Sequence, residues 1–426
     1  MDGRLTMKMK QRAEFGIVGS GVIGLCTAYF LAEAGHSVTV IERERTVGAG
    51  ASRGNGGQFV FAKPLPSPGM VRNGLRHLIG RDGAFYVAPL AMPGLAGFLS
   101  RFAFSATPAR FMDGVEKLAV LNELTMPLLD GMKSNGIGTR IEETGNLRIF
   151  ADQAAAEADH AGALERAGRG FNSQPGGLMY GEELWAYEPA LGAAAKFGYV
   201  QPDLRWGDPS VFIDELIAHL KRVGVEFVTN SEVTAIDESD DAVEVRHSDQ
   251  ASSFSSVLLA AGPWSAPLMK AAGSRAILKP GVGYSFSVRA EHTPGHVLAL
   301  ENAHVGVTPL EDGWVRFAGT MEFTGSENGK TSDRVQAIAD ASKPYVSGMD
   351  WDSLKDEWSA ARPMTPDGLP YIGQLPGRKR TALATGHNML GLTLGPATGM
   401  KTAELLISQG GDPRMRAFAV DRRIIF

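Results

Sequence analysis

The sequence lacks the marks of three large classes of protein. Only one of its 426 residues is a cysteine, Cys26, so no internal disulfide can form and a reducing compartment is expected. No apolar run approaches the roughly 18 residues that a membrane-spanning helix requires. Basic residues do not exceed acidic ones, and the formal net charge is −5, which argues against a nucleic-acid-binding protein. No metal site is predicted.

The N-terminal residues are basic, but no apolar segment follows them before residue 15, so they do not resemble a signal peptide. We therefore expect a cytoplasmic protein, with peripheral contact at the inner face of a membrane left open. The apolar and aromatic residues 85–104 could touch a membrane or a partner, or could form a core segment of a second domain. Cys26 lies in an apolar helical run and is expected to be a buried packing residue.

Glycine is abundant, with 52 residues where average usage would give roughly 30. One cluster, residues 19–24, follows an apolar strand-like stretch at 15–18 and opens a segment with helical spacing that ends at Gly35. Residues 36–41 are then predicted to form a second strand, with Glu42 at its end. This order of strand, glycine-rich turn, helix and strand is typical of a dinucleotide-binding βαβ unit.

Each glycine of this motif has a physical role in such a unit. Gly19 allows the tight turn, Gly21 lets the backbone approach a pyrophosphate, and Gly24 lets helix and strand pack closely. The N-terminus of the helix offers free N–H groups to the phosphates. Glu42 can accept hydrogen bonds from ribose hydroxyls, and its charge disfavours a 2′-phosphate. The motif alone does not distinguish FAD from NAD.

Two further glycine-rich segments favour FAD. A polar loop, residues 52–58, follows the βαβ unit, and residues 386–396 lead into the last predicted helix at 396–408. A helix N-terminus is suited to the pyrimidine edge of a flavin, where it stabilises negative charge on the reduced ring. Glycine-rich segments near both ends of the chain fit an extended cofactor that is held at both of its ends.

The remaining pattern predicts two domains. Helices are expected at 115–133, 153–168, 208–223 and 334–346, and strands at 225–229, 233–236, 242–247, 257–261, 277–288 and within 297–323. Residues 257–261 are apolar throughout, as in a buried parallel sheet. The predicted fold is α/β: a discontinuous, Rossmann-like FAD-binding domain (13–62, 206–275 and 357–426) and an α+β substrate or cap domain (63–205 and 276–356) on a mostly antiparallel sheet.

These residues resemble the FAD-dependent D-amino acid dehydrogenases of the D-amino acid oxidase, glycine oxidase and sarcosine oxidase superfamily. The resemblance covers essentially the whole chain. It is carried by residues 19–24 with Glu42, by 52–58, 260–265, 316–323, 362–370 and 391–399. One departure lies in the 52–58 loop, where glycines stand at positions that many relatives fill with alanine. The extra glycine is expected to loosen this loop.

The resemblance implies the roles of individual residues. Arg362 would bind the substrate carboxylate, which its planar two-pronged guanidinium also suits chemically, and Tyr284, His304 and His387 are candidates for further substrate contacts. Val233 would bracket the adenine. The complete set of expected cofactor-binding residues is Gly19, Ser20, Gly21, Val22, Ile23, Gly24, Glu42, Arg43, Ser52, Arg53, Asn55, Gly56, Gln58, Val233, Gly262, Trp264, Gly391, Leu392, Thr393 and Leu394.

The implied function is oxidative deamination of a D-amino acid, with non-covalently bound FAD accepting a hydride from Cα. A secondary or cyclic amine, such as a D-proline-type or N-methyl amino acid, is an alternative substrate class. A nicotinamide-dependent dehydrogenase and a non-catalytic flavin-binding subunit are competing hypotheses. The sequence leaves open the exact substrate and its stereochemistry, the oligomeric state, and whether a quinone, a partner protein or oxygen accepts the electrons.

Overall fold

The computed structural model describes residues 14–68, 85–202, 204–325, 331–408 and 410–422. The basic N-terminal residues, predicted not to be a signal peptide, lie outside this part. The helices are α1 Val22–Glu33, α2 Met92–Ser105, α3 Pro108–Ser134, α4 Gln153–Gly168, α5 Gly181–Tyr187, α6 Pro209–Arg222, α7 Ser265–Ala271, α8 Thr331–Ser342 and α9 Gly391–Ser408. The strands are β1 Phe15–Val18, β2 Val38–Ile41, β3 Gln58–Phe59, β4 Phe85–Val87, β5 Asn146–Phe150, β6 Met179–Tyr180, β7 Phe197–Gln201, β8 Arg205–Trp206, β9 Glu226–Val228, β10 Val233–Glu238, β11 Val243–His247, β12 Gln250–Phe254, β13 Ser256–Leu259, β14 Lys279–Ala290, β15 Val297–Leu300, β16 Val305–Pro309, β17 Trp314–Phe323, β18 Met349–Met364, β19 Tyr371–Gln374 and β20 Thr381–Thr385.

One sheet, here called the nucleotide sheet, has the strand order β19-β20-β13-β1-β2-β9 in the described residues. All its pairings are parallel except that of β19 with β20. Every residue of β1, β2 and β13 is buried, as expected for continuous apolar strands covered on both faces. The predicted parallel strand near 257–261 is therefore confirmed. A small antiparallel sheet, β10-β11-β12, precedes β13.

Helix α1 begins and ends as the glycine pattern predicts. The N–H of Gly35, which has φ +87°, bonds to the carbonyl of Ala32, and that of His36 bonds to Leu31, the double closure of a Schellman motif. A Cβ added at Gly399 of α9 would lie 2.7 Å from the Cβ of Cys26. Close packing of α1 against α9 thus buries Cys26 completely, which confirms its packing role.

The second sheet, here called the cap sheet, has the order β18-β14-β17-β16-β15-β5-β7-β6, with β4 pairing with β17. Its pairings are antiparallel except β15 with β5 and β17 with β4, so the mostly antiparallel second sheet is confirmed. Helix α8 packs against β14, β17 and β18. The helix expected at 334–346 ends at Ser342 and is followed by a 3₁₀ turn.

Several elements differ from the sequence-based expectations, among them strands β5, β7, β19 and β20, which were not predicted. Strand β18 was not predicted, although it pairs with β14 along most of its length. Strand β12 was also missed. Helix α9 begins at Gly391 and contains Pro396, whereas the sequence analysis began this helix at the proline because proline favours the first helical turn.

The apolar segment 85–104 is divided between core and surface. Leu95, Phe98 and Phe102 are buried against Met321 and Phe323 of the cap sheet. On the outer side Leu90 is 99% exposed and Met92 is 44% exposed. Part of the segment therefore belongs to the core, in agreement with the alternative that residues 85–104 form a core segment of a second domain. No helix among the described residues combines the length and apolarity needed to cross a membrane.

The division into domains at the expected residues remains a proposal, and two elements cross it. Strand β18 runs through position 357, so its pairing joins Trp358–Met364 to the cap sheet. The C-terminal half of α3, within the expected cap segment 63–205, contributes Leu129 and Met132 to the core around the nucleotide sheet.

Candidate cofactor and substrate site

A cavity of about 690 Å³ lies between the nucleotide sheet and the cap sheet; we call it the cofactor cavity. It has the volume expected of a small-molecule or cofactor site. It is lined by residues at the carboxyl ends of β1 and β2, by Trp358–Pro363 of β18, and by His387, Asn388, Met389, Gly391 and Leu392. The expected site residues that line it are Gly19, Ser20, Gly21, Val22, Ile23, Glu42, Arg43, Ser52, Asn55, Val233, Gly262, Trp264, Arg362, His387, Gly391 and Leu392.

The turn between β1 and α1 has the geometry of a phosphate site. Gly19 has φ +102°, and a Cβ at Gly24 would lie 2.1 Å from the carbonyl oxygen of Gly19, so both positions require glycine. Gly21, the N-cap of α1, supplies no side-chain cap, which leaves the helix N-terminus available to an anion. Glu42 accepts hydrogen bonds from the N–H and the hydroxyl of Ser20, at 2.8 and 2.6 Å. Its carboxylate is thus held at the end of β2, beside the turn.

A stacked pair of side chains, Arg43 and Trp264, lies next to this turn. The guanidinium of Arg43 lies 3.7 Å from the ring centroid of Trp264, a cation–π contact. The carbonyl of Gly262, with φ +56°, accepts a hydrogen bond from Thr385 at 2.9 Å. Val233 begins β10 and lines the same end of the cavity.

Residues 52–58, here called the flavin loop, are held from two sides. The hydroxyl of Ser52 accepts a hydrogen bond from the N–H of Val22 at 3.1 Å, which ties the loop to the start of α1. The carbonyl of Gly56 accepts one from Thr308 of the cap sheet at 2.5 Å. The side chain of Asn55 accepts from the N–H of Gly57. These contacts hold the loop from both sides, so the structure gives no support to the expectation that extra glycine loosens it.

Two expected cofactor ligands of this loop direct their side chains elsewhere. Arg53 forms a two-pronged ion pair with Asp214 of α6, with distances of 2.5 and 3.2 Å. The amide of Gln58 contacts Asn146 and Thr308 of the cap sheet, each at 3.4 Å. Neither residue lines the cavity, so both hold the loop in place.

The first turn of α9 lies next to the start of α1, since a Cβ at Gly391 would be 3.8 Å from Cγ1 of Val22. Gly391 and Leu392 line the cofactor cavity, whereas Leu394 is fully buried behind it. The hydroxyl of Thr393 donates to the carbonyl of Gln58 at 3.3 Å and accepts from the N–H of Val60 at 3.1 Å. Thr393 therefore joins the helix N-terminus to the end of the flavin loop.

Arg362 is a cation without a carboxylate partner among the described residues. Its guanidinium covers Gly283, where a Cβ would lie 2.0 Å from Cζ, and Nη1 donates to the carbonyl of Thr320 at 3.4 Å. Burial lowers the pKa of Arg362 to about 10, so it is still charged at neutral pH. An uncompensated charge held in a cavity favours an anionic ligand.

His387 is neutral in this site. Burial lowers its pKa to about 3, and its Nε2 is 3.1 Å from the hydroxyl of Thr398. Its Nδ1 has no hydrogen-bond partner among the described residues. His387 can therefore contribute a hydrogen bond at physiological pH, but no positive charge.

The structure does not bring Tyr284 or His304 into the cavity. Tyr284 is fully buried, and its hydroxyl donates to Glu322 at 2.5 Å; Glu322 is also paired with Arg334. His304 is exposed in the turn between β15 and β16, with φ +54°. The substrate contacts expected for Tyr284 and His304 are without support from the structure.

Trp358 and Asn388 line the cavity and were not expected from the sequence. Asn388 accepts a hydrogen bond from the N–H of Thr365 and donates to the carbonyl of Gly386, so it fixes the segment that precedes α9. Trp358 was missed because β18 was not recognised as a strand. Its position four residues before Arg362 was the available signal.

The family model for FAD dependent oxidoreductases of the DAO type matches residues 14–405. The chain belongs to this family. Two relatives are named D-amino acid dehydrogenase. The protein of Bradyrhizobium diazoefficiens is 30% identical over 420 residues, which cover 95% of this chain and 98% of the relative. The protein of Paramagnetospirillum magneticum is 30% identical over 422 residues, with the same coverage.

Solved structures of DAO-type flavoenzymes share the fold. Glycine oxidase from Bacillus cereus superposes with a TM-score of 0.73 at 18% identity, covering 97% of this chain and all of the other. L-proline dehydrogenase from P. horikoshii gives 0.69 at 17% identity, with 96% and 97% covered. These values confirm the predicted α/β fold with its FAD-binding domain.

FAD is therefore the cofactor of this DAO-type oxidoreductase, as the separated glycine-rich segments predicted. The family favours FAD over the nicotinamide cofactor of the competing hypothesis. The residues present fit the group. The glycine turn and the first turn of α1 suit its pyrophosphate, and residues of the flavin loop and of the start of α9 line the same cavity.

Proposed function

We propose that this protein is an FAD-dependent dehydrogenase that oxidises the Cα–N bond of a D-amino acid to an imine, which hydrolyses to a 2-oxo acid. The observation that carries the proposal is Arg362, a cation in the cofactor cavity with no carboxylate partner among the described residues. An amino acid supplies the missing anion. The names of the 30% identical relatives support the D-configuration.

Arg362 would bind the substrate carboxylate through two parallel N–H···O bonds. Two contacts orient the guanidinium of Arg362: it donates to the carbonyl of Thr320, and it lies flat on Gly283. The nearby carboxylate Glu322 is paired with Arg334 and Tyr284, so it does not compete for Arg362. FAD, when bound, supplies the acceptor for the hydride that leaves Cα.

Among the described residues that line the cavity, no acidic side chain comes from β18, the strand that carries Arg362, or from residues 387–392. The acidic residues that do line it are Glu42 and Glu44, which follow β2, and Glu232, which precedes β10; His387 is a neutral hydrogen-bonding group. The substrate amine would therefore react after losing its proton to solvent. In this proposal the chain orients the substrate and excludes water, which are large contributions to rate.

We further propose that FAD is bound non-covalently by the expected residues that line the cavity, in a cytoplasmic protein. The buried thiol of Cys26 is packed between α1 and α9, and burial raises its pKa far above the usual value. A protonated, enclosed thiol is a poor nucleophile. Denaturation should release all yellow colour into the soluble fraction, whereas a protein that keeps its flavin after denaturation contradicts this part.

The decisive experiment is anaerobic bleaching of the flavin by a panel of D-, L- and N-alkyl amino acids. Primary D-amino acids should bleach it fastest, and the 2-oxo acid should appear in equal amount. Faster bleaching by cyclic or N-methyl amino acids would move the assignment to the secondary-amine alternative. A flavin that no amine bleaches would support a non-catalytic subunit. Reoxidation timed with air and with a soluble quinone then identifies the electron acceptor.

A further inference from the structure

The indole ring of Trp358 lies directly on Gly54, in the middle of the flavin loop. A Cβ added at Gly54 would lie 2.1 Å from Cδ2 of the indole and 2.4 Å from Cε2 and Cε3. Gly54 has no positive φ, so its backbone conformation does not require glycine. Glycine is required because the ring occupies the space of a side chain, and any larger residue must displace the ring or the loop.

The cap sheet holds the same residue by a hydrogen bond. Ser285 of β14 pairs with Trp358 of β18 in the sheet register, and its hydroxyl donates to the carbonyl of Gly54 at 2.9 Å. Two neighbouring residues of the cap sheet therefore fix Gly54: Ser285 binds the carbonyl of Gly54, and Trp358 packs against its Cα. This contact lies beside the cavity, because Trp358 and Asn55 both line it.

We propose that Trp358 is a cofactor-positioning residue. With its ring seated on Gly54, it fixes the flavin loop at the distance from α1 and α9 at which FAD is bound. The inference depends on FAD binding and not on the identity of the amino acid, so failure of the substrate panel leaves it intact.

The first test is the dissociation constant of FAD, measured on the purified holoenzyme by the rise in flavin fluorescence on dilution. Gly54→Ala should weaken FAD binding about tenfold or more, the effect of forcing one carbon into a packed contact. Gly177→Ala is the matched control, since Gly177 has no neighbour within 4 Å of an added Cβ, has no positive φ and does not line the cavity. Equal dissociation constants for the two variants would overturn the proposal.

The second test separates positioning from general loss of structure. Trp358→Leu should weaken FAD binding, and adding Gly54→Ala to it should change the constant less than about twofold, because the ring that the methyl group meets is gone. A Gly54→Ala effect of the same size in both backgrounds would refute the pairing. If Gly54→Ala does not fold, recovery of a folded, FAD-containing double variant supports the proposal, and no recovery overturns it.

Discussion

The strongest prediction concerns the unpaired cation of the cofactor cavity. Arg362→Met should strongly slow amino acid oxidation without destabilising the protein, whereas most substitutions of partly buried residues destabilise. The structural basis is that the guanidinium has no carboxylate partner among the described residues and makes one long hydrogen bond, 3.4 Å, to Thr320. Little favourable interaction is lost when the charge is removed.

The magnitudes follow from burial and from the expected ligand. Burial lowers the pKa of Arg362 from 12.5 to about 10, which corresponds to roughly 3 kcal/mol of unfavourable desolvation at about 1.4 kcal/mol per pKa unit. The ligand-free Arg362→Met protein should thus be as stable as the wild type, or more stable by up to about that amount. Loss of the charge pair with the substrate carboxylate should cost about 2–5 kcal/mol of transition-state stabilisation. This free energy corresponds to a fall in kcat/KM of roughly 30- to 5000-fold.

The assays are anaerobic flavin bleaching by a D-amino acid and the unfolding temperature of the same samples. Arg362→Lys keeps the charge but loses the planar fork, so its kcat/KM should fall between those of the wild type and Arg362→Met. Arg246→Met, which breaks an exposed ion pair with Asp237, is the control and should leave both readouts unchanged. Wild-type kcat/KM in Arg362→Met, or a large fall in its unfolding temperature, would refute the reasoning.

Two further predictions follow from the same site. The folded-state pKa of His387, about 3, lies below the unfolded value near 6.5, so the unfolded chain binds the extra proton and wild-type stability falls as pH falls below 6.5. Urea titrations should show that His387→Phe loses about 2 kcal/mol less than the wild type between pH 7 and pH 5, and parallel losses would contradict this. Gly24→Ala places a methyl group 2.1 Å from the carbonyl oxygen of Gly19, so the purified variant should retain little FAD; a normal flavin-to-protein ratio would show that the turn is less rigid than the structure indicates.

The features that the sequence predicted well are those with local causes. The helix at 153–168 was found at those bounds, and the helix expected at 208–223 was found at Pro209–Arg222, where Asp208 caps it by accepting from the N–H of Ser210. Caps, glycine turns and helical spacing are determined by residues a few positions apart. The βαβ unit, which consists of such features, therefore indicated a dinucleotide and its phosphate site, whereas the choice of FAD rested on the two further glycine-rich segments.

The parts that were missed depend on distant residues. Strand β18 lies at the edge of the cap sheet and bears polar residues, and its register with β14 shifts twice, near Asp356 with φ +55°. A shifted register interrupts the alternation by which strands are recognised. The start of α9 was misplaced because Pro396 lies within the helix, where it deprives the carbonyl of Leu392 of its usual donor.

Tyr284 shows a limit of a different kind. Residues 281–288 of β14 are all buried, so the sequence gives no sign of which face of the strand meets the cavity. Gly283 and Ser285 contact Arg362 and the flavin loop, and alternation then directs Tyr284 to the opposite face, where it bonds to Glu322. Once the face on which one side chain of β14 lies is known, alternation gives the face of every other side chain. Only the tertiary structure shows the face of that first side chain.

Strand β18 carries both the residue proposed to position the cofactor, Trp358, and the residue proposed to bind the substrate, Arg362. Between Trp358 and Arg362 its pairing with β14 is regular, so both side chains lie on one face, and their Cα atoms are about 14 Å apart along the strand at roughly 3.4 Å per residue. One end of this stretch holds the flavin loop through Gly54, and the other presents the proposed carboxylate ligand. A strand maintains such a distance better than a loop does. Substitution of Trp358 should therefore raise KM for the amino acid as well as weaken FAD binding, whereas Gly24→Ala, which acts at the pyrophosphate end, should leave KM unchanged in the fraction of enzyme that retains FAD.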